Sequence, residues 1–279
     1  MKPSLREVRL RRSRANLWDE PSATPVPTHP AVVRVADVSL LFWIVKVLTT
    51  GMGETTSDFF VRRFDPVLVV GVGAVLFSAS LLLQLTRRRY VPWVYWLAVV
   101  MVSVFGTMAA DVTHVVLSVP YLVSALCFGG ILTVIFVIWY RLEGTLSIHS
   151  INSTRRELFY WTSVVTTFAL GTATGDLTAT TFHLGYFASG LLFAAVICIP
   201  AIAWWRFGMN PILAFWFAYI VTRPLGASFA DWMGVSPDRG GLNWGTGPVS
   251  LALAVLILGF VWYIANAFSR SGVDLVNPT

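Results

Sequence analysis

Three observations on this chain predict an all-α polytopic membrane protein, with about eight transmembrane helices arranged as four parallel two-helix repeats in a pseudo-fourfold bundle. The first is composition. Of 279 residues, 56% are hydrophobic and 12% charged, and the mean hydropathy of +0.70 lies far above that of soluble domains. The length accommodates about eight spans of roughly 20 residues with short loops between them. The second is an internal repeat. Residues 43–58 read WIVKVLTTGMGETTSD, 96–111 WLAVVMVSVFGTMAAD, 161–176 WTSVVTTFALGTATGD and 216–231 WFAYIVTRPLGASFAD. In every copy a Gly follows the Trp by ten residues and an Asp follows that Gly by five, a recurrence that marks a fourfold repeat. The third is the placement of Lys and Arg. With eight spans, fifteen fall on the side of the two termini and three, Arg62, Arg63 and Arg239, on the other, while Lys46 and Arg223 lie inside spans. The positive-inside rule then places both termini in the cytoplasm.

In chain order, residues 1–35 are different in kind. Arg6, Arg9, Arg11, Arg12 and Arg14 form a basic run, and PSATPVPTHP follows. This composition reads as a disordered cytoplasmic tail. It has no apolar run or small-residue cleavage site of a secretory signal. The membrane domain covers 36–268, with repeats at about 36–86, 90–140, 156–206 and 210–268. Its spans are expected at about 38–60, 66–85, 92–111, 114–140 with a kink at Pro120, 158–176, 182–205, 211–231 and 248–268. A short polar tail, 269–279, closes the chain. Cys127 and Cys198 both lie in apolar runs and read as buried free thiols. The net charge of +6 follows from topology, so no nucleic-acid partner is expected. The partners implied are the bilayer and a small inorganic ion, with a monomer or a homodimer equally allowed.

On a helix, the positions Trp, +4, +7, +11 and +15 of each copy fall within about 80° of one another. The Asp therefore ends a stripe that starts at the Trp. In copy one the stripe holds Val47, Thr50, Glu54 and Asp58; copy two has Ser103 and Thr107 at +7 and +11, copy three Phe168 and Thr172, copy four Arg223 and Ala227. Beside it run the pairs Gly53/Ser57, Gly106/Ala110, Gly171/Gly175 and Gly226/Ala230, the small-xxx-small pattern that lets helices approach closely in a bilayer. The simplest packing puts the four motif helices at the centre and the other four towards lipid. Trp would then sit near the cytoplasmic interface, with Asp about 22 Å further out.

Ionisable groups inside spans are costly and mark function by default. Here they are Lys46, Glu54, Asp58, Asp111, Asp176, Arg223 and Asp231, five acids against two bases, so protons or a bound cation should make up the difference. Carboxylates with hydroxyls suit hard divalent cations such as manganese or magnesium. The expected ligands are Asp58, Asp111, Asp176, Asp231 and Glu54, supported by Thr55, Thr107, Thr172 and Ser228. His114 and His183 would tilt the preference towards manganese or zinc. Arg223 and Lys46 would serve as counter-charges. Arg223 is expected to pair with Glu54, because repeats one and four are neighbours in a closed ring, whereas Lys46 has the length to snorkel towards the inner interface. No covalently bound cofactor is implied, and no zinc-protease, P-loop or nucleophile-elbow motif is present in the sequence, so the chain is not read as an enzyme.

The stretches LLFWIVKVLTTGMGETTSD, VYWLAVVMVSVFGTMAAD, ELFYWTSVVTTFALGTATGDLTA and ILAFWFAYIVTRPLGASFADW resemble a family of bacterial integral membrane proteins defined by a fourfold repeat of unknown function, often labelled membrane-anchored proteins. The resemblance covers about 36–268 and implies eight spans in the bacterial inner membrane. It brings no activity, so function rests on the residues. They point first to a secondary transporter or exporter of a small cation, most plainly a divalent metal such as manganese, coupled to protons. The alternatives are a transporter of a small anion centred on Arg223 and Lys46, and a non-transporting membrane scaffold or intramembrane enzyme.

Overall fold

The computed structural model describes residues 33–274, and among them every regular element is a helix. Eight long α-helices follow one another: α1 Leu40–Val61, α2 Pro66–Leu85, α3 Pro92–Asp111, α4 Tyr121–Glu143, α5 Thr154–Asp176, α6 Gly185–Phe207, α7 Pro211–Gly234 and α8 Thr246–Asp274. Their starts are written locally. Ser39, Asp65, Ser153 and Asn210 each accept a hydrogen bond from a first-turn amide, and Pro66, Pro92 and Pro211 occupy first-turn positions, where a missing N–H costs nothing.

Six of the eight are long and apolar enough to cross a membrane by themselves. The other two, α1 and α5, are as long but more polar. α1 carries Lys46, Glu54 and Asp58, and α5 is rich in Thr. Their position explains how a bilayer tolerates them. Motif helices α1, α3, α5 and α7 form a closed ring in which α1 packs on α3 and α7, and α5 packs on the same two. The two polar helices thus stand at opposite corners. The remaining helices cover the ring with a constant offset: α2 lies on α3, α4 on α5, α6 on α7 and α8 on α1. Each outer helix packs on the motif helix of the next repeat, and α8 closes the circle.

The motif glycines set the spacing of the ring. A Cβ placed on Gly53 would lie 1.8 Å from Ser103 Oγ; on Gly106, 2.9 Å from Phe168 Cβ; on Gly171, 2.2 Å from Arg223 Cγ; on Gly226, 1.9 Å from Thr50 Oγ1. In all four cases the +10 glycine of one motif helix receives the +7 side chain of the next. Close approach then permits hydrogen bonds between helices: Ser103 Oγ donates to Thr49 O at 2.8 Å and Thr50 Oγ1 to Thr222 O at 3.1 Å.

The structure departs from the sequence reading in several places. The fourth span does not start near His114. A π-helical turn, Val112–Val116, follows α3 directly, Ser118 adopts φ 53°, and Pro120 caps the start of α4 instead of kinking it. A ring-locked φ and a missing N–H suit a helix start better than an interior. Repeat three makes the same π turn at Leu177–Thr181. The motif tryptophans pack into the bundle: Trp96, Trp161 and Trp216 are buried in the core, with Trp43 packed against it. Residues 33–35, read as tail, are packed, and α8 runs on to Asp274. Cys127 and Cys198 are free thiols but exposed, not buried, because they lie on the outer helices α4 and α6. The basic run and the last five residues lie outside the described residues.

Candidate functional site on the pseudo-fourfold axis

The +7 and +11 positions of the four repeats meet on the axis of the ring, and Arg223 occupies its centre. This side chain has no solvent exposure. Its Nη2 donates to Glu54 Oε2 at 2.7 Å, to Thr172 Oγ1 at 2.9 Å and to Thr107 Oγ1, while Nη1 donates to the Thr50 carbonyl at 3.1 Å. Glu54, Thr107 and Thr172 are the +11 residues of repeats one, two and three. The fourth +11 residue is Ala227, on the arginine's own helix, and its small side chain leaves the centre to the guanidinium. One residue therefore ties all three other motif helices. The expected Arg223–Glu54 pair is present, as an ion pair with both side chains out of water. Such a pair is held in place less by its net energy than by the cost of leaving either charge alone.

Towards the Trp end of the axis stands Lys46. It is 1% exposed, and its Nζ has no hydrogen-bond partner. It rests over two ring faces, 4.2 Å from the Phe168 centroid and 4.4 Å from that of Tyr219, contacts that suit a cation. Lys46 therefore does not snorkel. Phe168 also lies 5.3 Å from the Arg223 guanidinium carbon, so one ring separates the two bases. Beyond Lys46 the axis is filled by aromatic side chains, including Phe42, Trp96, Trp161 and the pair Tyr95 and Tyr160, whose hydroxyls are 2.6 Å apart.

Towards the other end stand the four motif aspartates. Asp58 pairs with Arg62 at 2.8 Å on the same helix. Among the described residues Asp111, Asp176 and Asp231 make no side-chain hydrogen bond or ion pair, although Asp231 is buried and the other two are half-buried. Each lies within electrostatic reach of Glu54 and Arg223. Arg239, from the loop after α7, stands over the same end, held by a 2.7 Å bond from its Nη2 to Tyr186 Oη. The aspartates do not form a chelate as placed: among the described residues no three His, Cys, Asp or Glu side chains stand close enough to hold a metal ion.

The supporting ligands divide. Thr107 and Thr172 are on the axis, bound to Arg223. Thr55 is buried but bonded to carbonyls of its own helix, and Ser228 is buried with its hydroxyl unpartnered. Neither histidine joins the acids. His114 Nδ1 is engaged with Val119 O at 3.2 Å and its ring packs at a tilt against Tyr121, while His183 is exposed in the turn after α5 with φ 55°. The sequence reading missed Phe168 and Tyr219 as partners of Lys46 because the axis face shifts by one residue near the Trp end. There, +3 residues (Lys46, Val99, Val164, Tyr219) are buried and +4 residues only half so. Arg62 and Arg239 lie in the predicted loops; Arg62 follows Asp58 by four residues, a spacing at which helical side chains meet, whereas nothing local in the sequence aims Arg239 at the acids.

A chain with this fold is a polytopic all-α membrane protein built from an internal fourfold repeat. It belongs to the family described as Repeat of Unknown Function (DUF347), which matches at 41–90, 94–145, 159–210 and 214–267. No curated protein and no solved structure matches it.

Proposed function

We propose that this protein is a secondary transporter of a small cation, coupled to protons, that works along the axis of the four motif helices in the bacterial inner membrane with both termini cytoplasmic. A divalent metal such as manganese is the first candidate. The observation that carries the reading is the contrast along the axis. Three aspartates that have no side-chain partner among the described residues stand at one end, and Glu54, further along the axis, is held by a fully buried arginine. Unpartnered carboxylates inside a membrane protein attract cations. Arg223 acts as a tethered competitor: an arriving ion takes Glu54 only when the guanidinium gives it up, keeping the three Thr contacts as its anchor. On this reading, Glu54 paired with Arg223 is the locked state. Protons are a natural counter-cargo where carboxylates share one field.

One observation favours a second reading, transport of a small anion: the buried Lys46 ammonium lacks an acceptor. Proteoliposomes carrying the purified protein separate the two. With a manganese-sensitive dye and a pH dye inside, the wild type should move Mn²⁺ or another member of a cation panel together with protons, and Asp111→Asn combined with Asp176→Asn should slow this at least tenfold. Cation flux unchanged by that double substitution sinks the cation reading. Anion flux abolished by Lys46→Gln installs the second, and no flux of either kind leaves a scaffold.

A further inference from the structure

The Trp end of the axis carries a feature that the transport reading does not use. Residues 33–37, just before α1, lie packed against the bundle. The Arg34 amide donates to Ile151 O at 3.0 Å, and the Val33 carbonyl accepts from the Tyr90 amide at 3.2 Å. Val35 and Ala36 are buried in the same core as Tyr95, Trp96 and Trp161. The Arg34 side chain reaches the first turn of α5, where its Nη1 donates to Glu157 Oε2 at 3.0 Å and to Thr154 Oγ1 at 3.2 Å. Glu157 has no solvent exposure, and Gln84, at the end of α2, donates from its Nε2 both to Glu157 Oε1 at 2.9 Å and to the Arg34 carbonyl at 3.2 Å.

Topology turns these contacts into a device. The segment is anchored on α5 by Arg34 and enters α1 at Leu40. Those two helices stand at opposite corners of the ring. The chain thus runs from one corner to the other at the end where the aromatic plug begins. The neighbouring turn, Ile148–Ser150, buries Ile148 and Ile151 beside it, and Leu146 just before the turn accepts a hydrogen bond from Trp216 Nε1 of α7 at 3.0 Å. All four corners are therefore joined at this end: α1 and α5 by the strap, α3 through Tyr90, α7 through the turn.

We infer that residues 33–37 are a latched strap that closes the Trp end of the axis, with Arg34 as the bolt and Glu157 as its buried catch. As an exit gate the strap rests on the transport reading; as a latched cover it does not. A buried carboxylate held by one arginine and one amide makes an all-or-none latch. While Arg34 is seated the carboxylate is satisfied; when the strap lifts, Glu157 is left without a cation and draws it back. The groups facing the latch are Arg34, Thr154, Gln84 and Glu157. The Asp37–His149 pair, 3.5 Å apart and exposed on both sides, lies at its rim.

The test places a reporter thiol under the strap. In a Cys127→Ser, Cys198→Ser background, Tyr95→Cys is labelled with a small uncharged thiol reagent in detergent and followed by intact mass. Labelling should be slow with the native latch, at least tenfold faster with Arg34→Glu or with Glu157→Arg, and slow again when both are combined, since the exchanged pair restores the bolt. Equal labelling rates in all four proteins, each checked to be folded by a cooperative melting transition above the labelling temperature, would overturn the strap. If the single variants fail to fold, a five-residue Gly-Ser replacement of 33–37 serves instead, and labelling no faster than native overturns it as well. This readout needs no ion gradient, so its failure is distinct from failure of the transport reading. Where wild-type vesicles do carry an ion, Arg34→Glu should also change the flux rate; unchanged flux alongside faster labelling rejects the gating role.

Discussion

The four inner helices and the four outer helices solve opposite problems. α2 buries only two side chains, Ser80 and Gln84, and turns Val67, Leu68, Val75 and Leu76 outward. α5 buries Glu157, Ser163, Thr166, Thr167 and Thr172. In water this would be an inverted protein. In a bilayer it follows from the solvent: lipid takes the apolar surface at no cost, and backbone approach and hydrogen bonds hold helices together. The inner ring is where the fold can be broken, because its contacts have no slack. The outer layer has slack where it faces outward: a Cβ added on Gly71, Gly130 or Gly259 would meet nothing within 4 Å.

That contrast predicts a graded set of responses, read as thermal stability of the detergent-purified protein. The largest loss is expected at Arg223→Met, which leaves Glu54 buried without its cation: about 3–5 kcal/mol, most of it recovered when Glu54→Gln is added. Full loss in the double variant would mean that Arg223 holds the ring through its threonines and not through charge. Next come the ring glycines. Gly53→Ala drives a methyl into Ser103, whose Cβ would be 2.6 Å and backbone carbon 2.7 Å away, and should cost about 1–3 kcal/mol. The smallest effect belongs to the outer layer: Gly71→Ala in α2, where an added Cβ meets nothing within 4 Å, should stay within about 0.5 kcal/mol. A loss there equal to that at Gly53 would erase the distinction between the layers.

Much of the ring was legible from residue spacing. A Gly ten residues after each Trp and an Asp five beyond it are enough to place four equivalent helices, and the Arg223–Glu54 pair follows once the ring is closed. The offset of the outer helices was not legible. Nothing in the sequence of α2 says whether it covers its own repeat's motif helix or the next one, because a uniformly apolar helix carries no directional mark. Likewise, Lys46 looked long enough to reach the interface. It stays inside because its position, three residues after Trp43, points at the axis, and the faces of Phe168 and Tyr219 receive it there.

The sequence by itself determined the class of the protein, the number of repeats, the close-packing glycines and the inventory of buried charge, since each of these is a matter of residue type and period. Tertiary structure decided which charges meet. It seated Arg223 among three repeats, left Asp111, Asp176 and Asp231 with no side-chain partner among the described residues, took Arg239 out of its loop to stand over their end of the axis, and laid residues 33–37 across two opposite corners. These contacts join positions 50 to 173 residues apart, or a loop to a helix end. Their energies depend on distance and exclusion of water, which only the assembled ring supplies.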